Sequence, residues 1–397
     1  MRILITTDLY LPAVNGVVTS VVTLAQGLER RGHEVRIVTL SGTRHTYTEG
    51  NVTYIGSVSA GFIYPGVRIR TAPVGRIVRG LALWHPDVIH SQCEFSTFRI
   101  ARAVARECGA PLLHTYHTVY EDYTHYFCPI RRVGRSLAAW FTRRIARRTD
   151  GIIAPTEKVR RLLDSYGVSA PVTVIPTGAE LTVEAAPSTA EKKRLRRSFG
   201  VEEDKHILLY LGRLAAEKNI AALFPLLETE DLRDAYLVLA GDGPCRRALE
   251  EEVRRRGLTG RVRFLGMIPH EEVSRCYRMA DVFVNASRSE TQGLTYAEAM
   301  TAGCPVVCRA DPCVAGLIQN GVTGYACETA EETAAAIRRL LTDGDLRADI
   351  IDAARRRVDA CSADAFVTAA EQLYLQETIP KENHTPVRHI RRRRRTR

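Results

Sequence analysis

The chain reads as an α/β protein built from two doubly wound parallel-sheet domains that face each other across a cleft. Three observations predict this. Short apolar strand segments alternate with amphipathic helices through the first half, and the same rhythm starts afresh in the second half. With 397 residues the chain exceeds one ordinary core and fits two domains of about 150–200 residues. A βα rhythm with right-handed crossovers places ligands at the carboxyl ends of the strands.

In order, RILITTD opens the first half as a strand, and Thr19 to Arg30 follows as an amphipathic helix stopped by Gly32. VRIVTL, PDVIHS, PLLHTY and DGIIAPT read as further strands, most of them leading into helical stretches. IPTGAEL at 175–181, with Pro176 and Gly178, is the natural hinge. The second half then runs HILLYLG, AYLVLAG, RVRFLG, DVFVNA and CPVVCR as strands, separated by charged helices such as Cys245 to Arg256. The expected division is a first domain over 1–178, a second over 179–361, and a basic tail over 381–397.

Charge is unevenly spread over these parts. Residues 1–180 hold 22 Lys/Arg against 13 Asp/Glu, whereas residues 181–380 hold 26 against 31. A basic first half beside an acidic second half points to an anionic surface met by one domain only. The tail carries five consecutive arginines at Arg391–Arg395 and no apolar periodicity, so it reads as disordered. Nucleic-acid binding, an electrostatic membrane tether and an incidental solvated terminus are its three readings, and no nucleic-acid partner is expected of the chain. No apolar run is long enough to span a bilayer, and MRILITTD lacks the apolar stretch and cleavage site of a signal peptide. Ten cysteines without paired short spacings fit buried reduced thiols and a cytoplasmic setting. Cys304, Cys308 and Cys313 lack a CxxC pair or nearby His to complete a tetrahedral metal site.

The stretch SRSETQGLTYAEAM, Ser287 to Met300, sets two glutamates eight residues apart across a strand-to-helix junction. Glu290 falls in the loop and Glu298 in the first turns of the helix. Between them, Gln292, Gly293 and Leu294 bring backbone N–H groups to the positive end of a helix dipole, a ready anion site. Two carboxylates beside an anion cradle suit a ligand with both hydroxyls and phosphate, which describes a sugar nucleotide. In YLGRLAAEKN, Arg213 follows a strand by one Gly and Lys218 opens the next helical stretch. Two fixed cations there would stabilise a departing diphosphate; alone, the pair would read as solvated helix-start charges. The only Asp-x-Asp, Asp343-Gly344-Asp345, lies in a polar turn away from any strand, so metal-independent chemistry is expected.

GR…EKN, then GDGP at Gly241–Pro244, then Glu290 and Glu298 resemble, in order and spacing, the retaining family-four glycosyltransferases. The resemblance runs from Met1 to about Tyr374, and it implies that helices over 362–380 return to the first domain. It implies two Rossmann-like domains in the arrangement called GT-B. It implies that Arg213 and Lys218 bind the donor diphosphate and that Glu298 holds the ribose hydroxyls. Glu290 would contact the transferred hexose, the backbone at Gln292–Leu294 further donor oxygens, and the base would lie near RFLGMI. Gly16, in the loop after the first strand, allows close backbone approach to the donor; many relatives have two adjacent glycines where this chain has Asn15-Gly16.

In HTYHTVYEDYTHYF, residues 114–127, His117, Glu121 and His125 are four apart and would share one face of a helix. Zinc, a polar aromatic interdomain surface, and a sugar and acceptor pocket are the three readings, the last preferred, with His117 donating to the hexose at its base. This segment, with NGVVTS and ETQGLTYAEAM, looks most like the diacylglycerol α-glucosyltransferases within the family. Next comes RRVGRSLAAWFTRRIARR, where Val133, Leu137, Trp140, Phe141 and Ile145 form one helical stripe. Arg131, Arg132, Arg135, Arg143, Arg144, Arg147 and Arg148 surround it, with no acid before Asp150. A basic amphipathic helix with Trp and Phe at its boundary suits an anionic membrane surface; a domain helix burying the same stripe is the alternative.

The expected function is therefore a peripheral enzyme at the inner face of the cell membrane, moving glucose from UDP-glucose to the 3-hydroxyl of 1,2-diacylglycerol with retained α configuration and no cofactor. A GDP-mannose enzyme acting on phosphatidylinositol or a glycan is one rival. A non-catalytic sugar-nucleotide sensor or a nucleic-acid-binding protein is another.

Overall fold

The computed structural model describes residues 1–13, 15–61, 67–121, 131–178, 187–358 and 362–379. The arginine tail, the hinge beyond 178, His125 and the side chain of Arg131 lie outside the described residues.

The first sheet contains β1 (Arg2–Thr6), β2 (Glu34–Leu40), β3 (Tyr47–Glu49), β4 (Val52–Ile55), β7 (Val88–Ser91), β8 (Leu112–Thr115), β9 (Gly151–Ala154) and β10 (Val172–Val174), with a separate ribbon of β5 (Ser57–Ser59) and β6 (Arg68–Arg70). Its order is β10-β9-β8-β7-β1-β2-β4-β3, parallel throughout except where β3 runs antiparallel to β4. The second sheet contains β11 (His206–Leu211), β12 (Ala235–Ala240), β13 (Val262–Gly266), β14 (Val282–Asn285), β15 (Val306–Arg309) and β16 (Tyr325–Cys327), in the all-parallel order β13-β12-β11-β14-β15-β16. In both sheets the chain leaves a central strand in one direction and later restarts on its other side. This opens a crevice between β1 and β7 and another between β11 and β14.

Alternating strand residues feed a core on each face of each sheet. In the first, Ile3 and Ile5 face Val21, Leu24 and Leu28 of the helix Gly16–Arg30, while Leu4 faces Phe98, Ala101 and Val104 of the helix Ser96–Cys108. In the second, Leu208 and Tyr210 join one core, Ile207 and Leu209 the other. Helix Gly16–Arg30 begins three residues ahead of the expected Thr19, because the Asn15 side chain accepts from Val17 N and Val18 N, each at 3.0 Å. Such a cap stabilises a helix start by about 1 kcal/mol.

The last described helix, Ala363–Thr378, packs on the first sheet. Phe366, Val367, Ala370, Leu373 and Tyr374 share its core with Ile3, Ile5 and Val21. Arg31 pairs with Asp364 at 2.6 Å and Glu371 at 2.7 Å, and the Tyr374 hydroxyl lies 2.6 Å from His90 Nδ1. Each large side chain buried there contributes about 1.5–3 kcal/mol.

Candidate active site

Parallel order fixes where the charged loops meet. The loops after β11 and β14 leave neighbouring strands at the crevice of the second sheet, one carrying Arg213 and Lys218 and the other Glu290. Lys218 Nζ and Glu290 Oε1 lie 2.8 Å apart, both side chains largely withdrawn from water. The backbone of EKN makes this pairing. Ala216–Lys218 is a single 3-10 turn, and Asn219 ends it in the left-handed region at φ 51°, where its Nδ2 donates to Ala286 O at 3.2 Å. That bond ties the lysine turn to the end of β14, next to the glutamate loop.

GDGP explains the neighbouring loop. Gly241, at φ 127°, runs so close to Gly212 that a Cβ would fall 2.0 Å from the Gly212 carbonyl oxygen. The contact lets Leu214 N donate to Asp242 O at 3.0 Å and Cys245 N to Leu214 O at 2.9 Å. The Tyr210 hydroxyl donates to Arg213 O at 2.9 Å, so the Arg213 backbone is held from the strand below.

Gly293, at φ 75°, is the N-cap of the helix Leu294–Thr301, and a Cβ there would meet the Tyr296 ring at 2.4 Å. Only glycine fits this cap. Glu298 sits in the second turn, where the buried Tyr277 hydroxyl donates to its Oε2 at 2.9 Å. Burial, and then the Glu298 charge, hold that phenol far above its usual range, so it remains a donor. Gln292 takes another role for its side chain: Oε1 accepts from Thr177 N at 2.8 Å and Nε2 donates to Thr177 O at 2.7 Å. The amide thus joins the two domains.

Across the cleft, Gly16 comes to the same place, since a Cβ on it would lie 3.8 Å from Leu294 Cδ1. His117 follows β8, at the carboxyl edge of the first sheet. Its Nε2 lies 2.7 Å from Gln92 Oε1, an amide oxygen that can only accept, so Nε2 carries the proton. Burial, opposed by Glu94 and aided by His114, lowers the His117 pKa to about 4. The neutral ring therefore keeps its lone pair on Nδ1. Glu121 accepts from the Tyr166 hydroxyl at 2.9 Å and pairs with Arg135 at 3.4 Å, so it is engaged away from His117. No cluster of three metal-ligating side chains occurs among the described residues. Burial pushes the Cys276, Cys304 and Cys308 thiols up to about 12, which keeps them protonated.

The arginine helix, Arg131–Ala146, divides its expected stripe in two. Val133, Leu137 and Trp140 are 45%, 48% and 55% exposed, flanked by exposed Arg132, Arg135, Arg144 and Arg147. Ile145 is buried in the core beneath, and Phe141 turns inward to stack on Phe95 at 5.8 Å and meet Tyr120 edge-on at 5.5 Å. Arg143 also turns inward, donating to Tyr166 O at 2.8 Å. Phe141 and Arg143 are thus partly buried and engaged with neighbouring elements, unlike the exposed row. The exposed Val133, Leu137 and Trp140 row, and not the whole stripe, is what water sees. The half-buried Arg148 lies among Arg144, Arg106 and Arg99, and burial together with their charge lowers its pKa.

Lys158 was not singled out by any motif. It reaches from the helix Glu157–Ser165 of the first domain to the glutamate loop, with Nζ donating to Glu290 O at 2.9 Å and to both Asp311 carboxylate oxygens at 2.8 Å. Thr156 Oγ1 donates to Thr291 O at 2.9 Å beside it.

Two Rossmann-like sheets with cations, carboxylates and a helix N-terminus at the crevice define a glycosyltransferase of GT-B architecture. The chain belongs to the family-four glycosyltransferases: residues 14–183 match the family model Glycosyltransferase Family 4 and residues 191–357 match Glycosyl transferases group 1. Among its relatives is the alpha-monoglucosyldiacylglycerol synthase of Streptococcus pneumoniae, 35% identical over 96% of this chain and 86% of that protein. The alpha-monoglucosyldiacylglycerol synthase of Acholeplasma laidlawii is 29% identical over 96% of this chain and 98% of that protein. The fold is shared with the Anabaena protein HepE in complex with UDP and glucose, at a TM-score of 0.75 and 18% identity over 95% of this chain and all of that one. The chain is an enzyme, a hexosyltransferase. Among the described residues, no helix is long and apolar enough to cross a membrane.

Proposed function

We propose that the enzyme transfers glucose from UDP-glucose to the 3-hydroxyl of 1,2-diacylglycerol, with retention of the α configuration, at the inner surface of the cell membrane. The observation that carries the donor half of this reading is the 2.8 Å Lys218–Glu290 pair at the crevice of the second sheet. The acceptor half rests on likeness: two relatives named as alpha-monoglucosyldiacylglycerol synthases align with 96% of the chain.

In the reaction, the bond between the glucose anomeric carbon and the diphosphate oxygen breaks while the glycerol oxygen bonds to that carbon from the same face. The glycerol proton passes to the departing phosphate oxygen, so UDP leaves carrying it. Arg213 and Lys218 stabilise the charge that develops on the diphosphate, aided by the backbone N–H groups at Gly293 and Leu294. Glu290, already paired to Lys218, accepts hydrogen bonds from the hexose hydroxyls and needs no nucleophilic role. Glu298, fixed by Tyr277, takes the ribose. His117 Nδ1 accepts from a hexose hydroxyl beside the anomeric centre. Two cations do here what a divalent metal does elsewhere, so no metal is required. The exposed Val133, Leu137 and Trp140 row with its flanking arginines supports docking on anionic lipid.

The test is incubation with labelled UDP-glucose or GDP-mannose, each with vesicles containing diacylglycerol or phosphatidylinositol, with and without a chelator. Labelled α-glucosyldiacylglycerol, formed equally with chelator, is expected. Label moving only from GDP-mannose would overturn the donor, and label moving only to phosphatidylinositol would overturn the acceptor.

A further inference from the structure

The glutamate loop is not held by its own domain alone. Three consecutive residues of it bond to the first domain: Glu290 O to Lys158 Nζ, Thr291 O to Thr156 Oγ1, and the Gln292 amide to both backbone groups of Thr177. Glu290 is gripped at both ends by lysines of different domains, its carboxylate by Lys218 and its carbonyl by Lys158. An ammonium has three donors, and those of Lys158 are matched by the Glu290 carbonyl and the two oxygens of Asp311. Asp311 is itself fixed, since its Oδ1 accepts from Cys313 N at 2.8 Å. Both members of the Lys158–Asp311 pair are largely withdrawn from water, so the pair is screened little and depends on its geometry.

We propose that Lys158 is a positioning residue for glycosyl transfer, bringing the Glu290 loop to its working geometry only when the two domains close. This rests on the reading that Glu290 faces the transferred sugar. Lys158 touches neither sugar nor nucleotide in this account; it acts through the loop. Donor grip resides in Arg213, Lys218 and Glu298 of the second domain, whereas the position of Glu290 depends on a side chain of the first. Loss of Lys158 therefore separates binding from turnover.

The test compares wild type, Lys158→Met, Asp311→Asn and the double variant for kcat, donor KM, UDP affinity by calorimetry and thermal midpoint. Lys158→Met should lower kcat by about 100-fold, the scale of a 1 Å misplacement, with UDP affinity changed by less than about threefold. Asp311→Asn keeps the Lys158 bond to the Glu290 carbonyl and should lose about tenfold, the charged part of the grip. The double variant should be no worse than Lys158→Met alone. A kcat for Lys158→Met within about twofold of wild type would overturn the proposal, as would a loss of UDP affinity equal to the loss in kcat. If Lys158→Met fails to fold, Asp311→Asn decides by the same split. Small-angle scattering without substrate adds an arm independent of the reaction: Lys158→Met should have the larger radius of gyration, and equal radii would count against the latch. Failure of wild type to glucosylate diacylglycerol would instead strike the assigned acceptor and leave the scattering and UDP results to judge Lys158.

Discussion

The two sheets open equivalent crevices, yet they fill them with opposite chemistry. Between β11 and β14 stands an ion pair, Lys218–Glu290, beside the N-terminus of a helix that only a glycine can begin. Beyond β1 and β7 the side chains are just as polar and several bond to one another, while among the described residues Thr6 Oγ1 and Thr97 Oγ1 are buried without a hydrogen-bond partner and His114 Nε2 lies 3.4 Å from Glu94 Oε1. Asp8 accepts from Thr97 N at 2.8 Å, the Tyr120 hydroxyl donates to Glu94 at 2.5 Å, and His117 is tied to Gln92. Burial raises the Asp8 pKa and lowers those of His90, to about 3, and His117. Under the proposed reaction, one architecture would serve two substrates. A departing diphosphate needs standing cations, whereas the crevice of the first sheet is lined by mutually bonded polar side chains that include the carboxyl groups of Asp8 and Glu94.

That contrast can be broken most forcefully at Lys218. Lys218→Met should lower kcat by about 100- to 1,000-fold, because a preorganised partner of the leaving group is lost. A fall in kcat below tenfold in steady-state assays would remove the cation from the mechanism. Gly293→Ala comes next. The added methyl meets the Tyr296 ring at a backbone angle alanine resists, so stability should drop by about 1–3 kcal/mol in denaturant titration and UDP affinity with it. An unchanged midpoint would show that the cap can yield.

On the acceptor side, the paired change Leu137→Ser and Trp140→Ser should weaken co-sedimentation with anionic vesicles by about tenfold, since two half-exposed apolar side chains stop entering the lipid. The thermal midpoint should not fall, because neither side chain belongs to the core. Unaltered sedimentation would return the helix to an ordinary surface role.

The smallest effect is a pH dependence. An unfolded histidine takes up a proton near its ordinary value of about 6.5, whereas folded His117 refuses it until about 4. The unfolded state therefore binds more protons between those limits, and stability falls as pH drops through that window. Above about 6.5 the ring is neutral in both states and contributes no slope. His117→Gln should flatten part of the acid-side decline of the midpoint; an unchanged decline would place its cause in His90 and the carboxylates.

How much of this was legible in the sequence differs between the same two regions. The meeting of Lys218 with Glu290 was legible because strand, turn and helix signals lie within a few residues of each. Parallel order then forces neighbouring strand ends together. The helix start at Gly16 was missed because an apolar period shows the turns of a helix and not the Asn15 side chain that caps them. β3, β5 and β6, at three residues each, are too short to leave a pattern. On the arginine helix the apolar stripe was visible, but the face that packs inward is lined by Gly134, Ala138, Ala139 and Thr142. Small residues allow close approach without raising the apolar signal, so the contacts of Phe141 with Phe95 and Tyr120 could not be read from the stripe. Lys158 and Asp311 are 153 positions apart, and no local spacing announces a pair that exists only when two domains touch.

In the proposed reaction one interdomain groove grips a nucleoside-diphosphate glucose through Lys218 and Glu290. Its most direct test is the rate of labelled glucose transfer from UDP-glucose to diacylglycerol vesicles by wild type and by Glu290→Gln. Wild type should form the glycolipid, and the variant should keep its fold while turning over at least about 100-fold more slowly. Equal rates for the two proteins would contradict the account.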